Sequence, residues 1–348
     1  MTLEKENKNY YCRLVCSTVS GIVLAHILHN LFSSTVIIGI FPTSLILGMK
    51  KYDPKDIISK MLYMAIGGII GLFVAEFLYG SPIVANLFSY IIFCGVLNLF
   101  AFNYKTVHIY YFLFYYLLFT IKGSYIELHY DESFLQNMVQ LGIIFILIFI
   151  IYKIFPSEAE DVISKPYTKI SVPKNHIYLH ALIFLLFLNL SMLFEWRFAF
   201  FAYITLAGLY RDFNYSRMII RAKKNIKIHS LACTMASIFS FILFAKVGNF
   251  ILLIIFLTAF YMYLVKDVVY GDVKKRYEKV TLINATIIPL TLYLNTSGAI
   301  LYKAHLRAVM ISSIMIFSFI FLDIIVIVMS AKKIKELKLN NIKELQKI

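Results

Sequence analysis

Residues Glu195-Trp196-Arg197-Phe198-Ala199-Phe200 open an apolar run that continues to Leu209-Tyr210 and turns through Arg211-Asp212. The chain then passes the basic segment Arg221-Ala222-Lys223-Lys224-Asn225-Ile226-Lys227 and re-enters an apolar run reaching Ile238. Two apolar segments joined by a cationic connection read as a membrane hairpin, and Lys and Arg beside the segment ends place that connection on the cytoplasmic side. The pattern recurs from Ser34 to Phe73, with Met49-Lys50-Lys51-Tyr52-Asp53-Pro54-Lys55 as the basic connection. A hairpin plan used twice predicts an all-α integral membrane protein.

Composition points the same way. Of 348 residues, 60% are hydrophobic and 15% charged, with a mean hydropathy of +0.78, whereas soluble domains carry about 25% charged residues. The formal charge of +15 is spread over short connections between apolar segments. The positive-inside rule accounts for it there, so the lipid bilayer and not nucleic acid is the expected partner. Cys12, Cys16, Cys94 and Cys233 show no metal-ligand spacing and read as packing residues, so neither a metal nor another cofactor is expected. The first eleven residues are polar and no cleavable signal is read.

A hydrocarbon core about 30 Å thick needs roughly 20 helical residues. About twelve segments qualify, several of them short: 12–32, 34–49, 60–79, 82–102, 107–121, 134–155, 176–194, 196–210, 228–246, 249–265, 280–295 and 305–330. With the N-terminus inside, most Lys and Arg fall on cytoplasmic connections, while Lys122, Arg197, Lys246, Lys303 and Arg307 stay on outer ones. That bias predicts an even number of spans and two cytoplasmic termini. Phe32 aligns with Phe194, about 162 positions on, and Asn137 aligns with Arg307 at an offset near 170. The expected plan is two parallel six-helix repeats, 1–155 and 175–330, about an axis along the membrane normal. A cytoplasmic linker, 156–174, joins them, and a basic tail, 331–348, is expected to lie at the anionic inner leaflet.

Family resemblance enters on particular residues. They are the Glu195-Trp196-Arg197-Phe198 edge, the exit from Leu206 to Asp212, the basic stretch to Arg221, and the small-residue helix Ala232-Cys233-Thr234-Met235-Ala236-Ser237, whose first-half counterpart is Ala65-Ile66-Gly67-Gly68-Ile69-Ile70-Gly71. With half-chains of about six short helices, the sequence resembles the fusaric acid resistance protein-like (FUSC) superfamily of bacterial inner-membrane proteins, itself similar to the plant aluminium-activated malate transporters. The first half has no Trp at its hairpin, and the long soluble domains of larger members are missing. The resemblance therefore implies a compact, membrane-only relative. It also implies a bacterial inner-membrane location and export of small organic anions, often aromatic carboxylates, in some systems beside a periplasmic adaptor of the membrane-fusion type. A homo-oligomeric assembly is compatible with it.

Ionisable groups at membrane depth cost roughly 2.5 to 3.5 kcal/mol each and so nominate candidates for a substrate or ion pathway. His26 and His29, near Asn30, read either as a proton-coupling pair or as two interhelical hydrogen bonds. Glu76 reads as a proton carrier or as a group reaching the headgroups. Arg197 beside Trp196 offers a bidentate partner for a carboxylate and a stacking surface, or serves as an interfacial anchor. Asp323 lies in an apolar last segment, where it is functional or snorkels to the interface. Arg307 and Asn137 hold matching places in the two halves, which suggests a lumen-facing position. Pro42, Pro289, Gly67, Gly68 and Gly71 either expose backbone groups to a pathway or pack helices closely.

No phosphate-binding loop, His-Glu-x-x-His, Gly-x-Ser-x-Gly or paired-aspartate motif occurs, so no enzyme class is nominated by motif. A transporter of organic anions is the leading reading. A membrane-embedded transferase or polymerase of envelope glycan or lipid is the alternative. Short outer connections argue against the latter, except 122–133 with Glu127, His129, Asp131 and Glu132. A structural assembly protein is a third reading.

Overall fold

A computed structural model describes residues 2–32, 35–49, 51–102, 106–123, 130–157, 172, 174–193, 199–210, 215–244, 250–272, 275–293, 304–321 and 324. Among them there are helices and no strand. The helices are α1 (Thr2–Ile27), α2 (Val36–Leu47), α3 (Pro54–Gly80), α4 (Pro82–Ala101), α5 (Thr106–Gly123) and α6 (Tyr130–Ile154) in the first half of the chain. The second half supplies α7 (Lys174–Leu193), α8 (Ala199–Tyr210), α9 (Tyr215–Phe244), α10 (Phe250–Val269), α11 (Arg276–Tyr293) and α12 (Ala304–Phe321). Each apolar segment expected from sequence falls on one of them.

Seven helices, α1, α3, α4, α6, α7, α10 and α12, are long and apolar enough to cross a bilayer, and the chain is an all-α membrane protein. All of them but α1, which is enclosed along most of its length, carry exposed apolar residues on their outward faces. On α3, Ile58, Leu62, Ile66, Ile69 and Phe73 are all exposed, at the three- and four-residue steps that put side chains on one helix face. On α4, Ile83, Leu87 and Ile91 repeat the pattern. A stripe of this kind in contact with water would be an aggregation hazard, and in lipid it costs nothing.

The remaining helices behave differently. In α2, ten of twelve residues are buried, Val36 to Thr43 together with Leu45 and Ile46. Most of α5 is buried too, including Tyr115, Tyr116 and Leu117. A helix that is apolar all round belongs in an interior. Thus α2, α5, α8 and α11 occupy the inside, with α2 packed on α11, α8 on α5, α3 on α5 and α9 on α11, while α9 keeps an exposed apolar face of Ile220, Leu231 and Ile238. Around them α4 packs on α7, and α10 packs on α1.

Glycine sets how closely α3 and α5 meet. A Cβ on Gly67 would strike the Phe112 carbonyl, and one on Gly71 would lie 2.6 Å from the Tyr116 carbonyl oxygen. Small residues four apart admit such backbone contact, and Thr120 adds a hydrogen bond from Oγ1 to the Gly71 carbonyl at 3.3 Å. The other helix pair of this kind, α9 and α11, has no glycine in its small-residue stretch, where Ala232 and Ala236 are buried and Ser230 and Thr234 are exposed.

Two boundaries differ from the sequence expectation. The basic run read as a connection is helical from residue 215, so α9 is 30 residues long and carries Arg221 to Lys227 inside it. No Gly or Pro occurs between Gly208 and Gly248, so nothing breaks the helix there. Likewise α1 begins at Thr2 and takes in the polar residues before Cys12.

Polar contacts gather at the end of the bundle where α1, α3, α9 and α11 begin and α2, α6 and α10 end. Asp56 pairs with Lys60 at 2.5 Å and lies 3.4 Å from His108. Lys224 pairs with Glu278 at 2.7 Å, and Lys279 with Asp267 at 2.5 Å. Most enclosed is Arg13, 0% exposed, whose Nη2 donates to Glu6 at 2.5 Å and whose guanidinium lies 4.9 Å from the centre of the Tyr152 ring. Tyr152 in turn donates to the Met49 carbonyl, and Ser157 donates to Glu6. This network ties the ends of α1, α2 and α6 together.

Two predictions follow from packing and charge. Gly67→Ala should lower the stability of the detergent-solubilised protein by about 1–3 kcal/mol through forced separation of α3 and α5. Gly95→Ala, where a Cβ meets nothing within 4 Å, should leave the thermal midpoint unmoved or slightly raised. Arg13→Met should cost about 3 kcal/mol by leaving Glu6 without its counter-charge. The double variant Arg13→Met/Glu6→Gln should recover most of that loss in the same melting measurement.

Candidate functional site

The interior helices leave a cavity of about 470 Å³ where α2, α5, α8 and α11 meet, with α9 and α12 completing the wall. Both halves of the chain contribute at regular spacing. Ile40, Phe41 and Ser44 of α2 are matched by Ile204, Thr205 and Gly208 of α8, each pair 164 positions apart. Tyr110, Tyr111 and Phe114 of α5 are matched by Val280, Thr281 and Asn284 of α11, each pair 170 apart.

The chemistry of the two sides is unequal. The first half presents Ile40, the rings of Phe41, Phe114, Tyr110 and Tyr111, and three hydroxyls, on Ser44, Tyr110 and Tyr111, with Phe41 packed edge-on against Phe114 and tilted against Tyr111. The second half presents Arg221, Asn225 and His229 from α9, Tyr277, Thr281 and Asn284 from α11, and Arg307 from α12. No Asp or Glu is among the described residues lining the cavity. Two guanidinium groups with no lining carboxylate give the space a positive potential, and guanidinium matches carboxylate in geometry as well as charge.

Arg221 is held from two sides. Its Nη1 donates to the Gly208 carbonyl of α8 at 3.3 Å, and its guanidinium stands 4.9 Å from the centre of the Tyr277 ring of α11. One turn further along α9, the Lys224–Glu278 pair ties the same two helices, α9 and α11. Arg307 is 2% exposed, Asn225 1% and His229 6%. Asn225 Oδ1, Asn284 Oδ1 and His229 Nδ1 are buried with no hydrogen-bond partner among the described residues. Each such atom costs about 1–3 kcal/mol when unsatisfied, so this wall is built to meet a polar guest.

Backbone at the cavity is also unusual. Pro42 lies inside α2 and Pro289 inside α11, and these two helices pack on each other. Proline has no N–H to give, so the carbonyl of Ala285, which lines the cavity, lacks its helical donor at residue 289. At the α2–α11 crossing, Gly39 sits directly against the Thr291 side chain. Pro42 likewise leaves the Ile38 carbonyl without its helical donor, and that oxygen lies against Gly21 of α1.

The residues singled out from sequence are dispersed. Arg307 lines the cavity. Asn137, its counterpart in α6, is buried but lies outside the wall, with Nδ2 donating to the Ser133 carbonyl at 2.7 Å. His26 is half-buried at the end of α1, while His29 and Asn30 just beyond it are exposed, and Glu76 is exposed on α3. None of these last four lines the cavity. Arg197, Trp196 and Asp323 lie outside the described residues.

Arg221, Asn225, His229 and Asn284 are functional candidates that sequence reasoning did not select. A signal for them exists: Arg221, Asn225, His229 and Cys233 recur every fourth residue, which places polar groups on one face of a helix. Reading the basic run as a solvated connection conceals that stripe, because a connection has no face. Comparison with known proteins finds no family model, no curated protein and no solved structure that matches the chain.

Proposed function

We propose that this protein is an inner-membrane transporter of small organic anions, aromatic carboxylates among them, with its pathway through the cavity between the two halves of the chain. The observation that carries this reading is the cavity wall: Arg221 and Arg307 beside buried, unpartnered amide and imidazole atoms, with no carboxylate among the described lining residues. Such a site attracts an anion and supplies an apolar, aromatic side for its body. Its location fits the general pattern of transporters, in which short or Pro/Gly-interrupted helices at corresponding places of two repeats form the binding site. Here those helices are α2, with Gly39 and Pro42, and α8, with Gly208, each twelve residues long.

Two parallel six-helix repeats are part of the proposal. The second helix of each half packs against the fifth of the other, and the fourth of each packs against the first of the other. This exchange, together with the constant offsets along the cavity wall, supports a two-fold axis through the cavity. The polar end of the bundle, rich in Lys and Arg, is the cytoplasmic end on this reading, and both termini lie there. The plan is that of a compact member of the FUSC superfamily, and a periplasmic adaptor and a homo-oligomer are compatible with it. No catalytic step is part of the proposal.

Uptake of radiolabelled benzoate into liposomes containing the purified protein tests the reading. The expected result is uptake above that of empty liposomes, reduced roughly tenfold or more by Arg307→Gln, the loss that follows from removing a charged hydrogen-bonding partner. Ser312→Ala, on α12 but away from the wall, should transport as the wild type does. Benzoate uptake no greater than in empty liposomes overturns the proposal.

A further inference from the structure

We infer that the cavity contains two separate anion stations, an inner one at Arg221 and an outer one at Arg307, so that one chain holds two small monocarboxylates at once. The inference rests on the anion reading above and adds a stoichiometry and an order of binding to it.

Spacing along α9 carries the argument. Arg221 and His229 are eight residues apart on an uninterrupted helix, a rise of about 12 Å. Arg307 belongs with the far end of that interval. Its neighbours Ala304 and Ala308 form a buried cluster with Cys233, one turn beyond His229, and the Arg307 charge acts on both His229 and Cys233. Arg221 is fixed at the near end by the Gly208 carbonyl and the Tyr277 ring. A small aromatic monocarboxylate is shorter than this rise, so a molecule seated at one end of the interval leaves the other end open to a second.

Each station has its own surroundings. At the inner one, the Tyr277 ring and the α8 backbone frame the Arg221 guanidinium. At the outer one, His229, 6% exposed and with Nδ1 unpartnered, stands beside Arg307. Between them the wall offers the amides of Asn225 and Asn284 and no cation. Two positively charged ends with a neutral middle form two wells for an anion and not one. An anion entering from the polar end reaches Arg221 first, and its passage to Arg307 vacates the inner station for the next.

Equilibrium dialysis of the purified full chain in nanodiscs against radiolabelled benzoate, with empty nanodiscs subtracted, measures the stoichiometry directly. Two molecules per chain are expected. Arg221→Gln and Arg307→Gln should each leave one, with the affinity of the surviving station within about threefold of its wild-type value. Arg221→Lys and Arg307→Lys, which keep the charge, should each retain two, and they stand in for the Gln variants where a lowered melting midpoint shows that a Gln variant is misfolded. One molecule per wild-type chain overturns the two-station inference and leaves the anion reading intact, as does loss of all binding in a single Gln variant with a wild-type melting midpoint. No binding by the wild-type chain overturns both.

Discussion

Two helices too short to cross a bilayer govern the rest of this architecture. A twelve-residue helix rises about 18 Å, against a hydrocarbon core of about 30 Å, and both α2 and α8 have that length. A helix that stops short of the far interface leaves polar backbone groups at membrane depth, tolerated only inside protein or beside a cavity. Both helices are accordingly packed inside, α2 onto α11 and α8 onto α5. Longer helices such as α3, α4 and α7 supply the exposed apolar surface that these two cannot. The cavity lies where the short helices meet their partners.

Asymmetry between the halves decides what kind of space results. In the first half, Gly67 and Gly71 let α3 close on α5, backbone against backbone, and the wall there is aromatic. In the second half, α9 has no glycine in its small-residue stretch, and it carries Arg221, Asn225 and His229 on the face that lines the cavity. Where α3 and α5 form a close backbone contact, α9 and α11 present a polar wall. Unequal side chains thus give one cavity an apolar side and a cationic side.

Much of this was legible in the sequence, and the part that was not has a definite cause. Segment positions and the membrane class follow from hydropathy, because lipid tolerates little else over such lengths. Arg307 was legible because a charge at the start of an apolar segment is costly and therefore conspicuous. Arg221, Asn225 and His229 were not, since cations near a segment end are ordinary in a connection and only helix continuity through residue 215 turns them into a face. Asn137 aligned with Arg307 in sequence but does not line the cavity, because an alignment fixes a position along a helix and not the direction of its side chain. Arg13 was missed for a related reason: its partner Glu6 lies in polar residues that read as a leader to the helix and are in fact its first turns.

The wall of the cavity also determines what must stay out. On the transport reading, two guanidinium groups with no carboxylate among the described lining residues would repel sodium, potassium and hydronium alike, as arginine does in pores that exclude cations and protons. A bilayer that is negative inside drives an anion outward with about 2.3 kcal/mol per charge for each 100 mV. On the transport reading, a carboxylate could therefore leave down the membrane potential alone. The cost to the cell would be the charge carried by that anion, with no accompanying leak of the ions that maintain the potential.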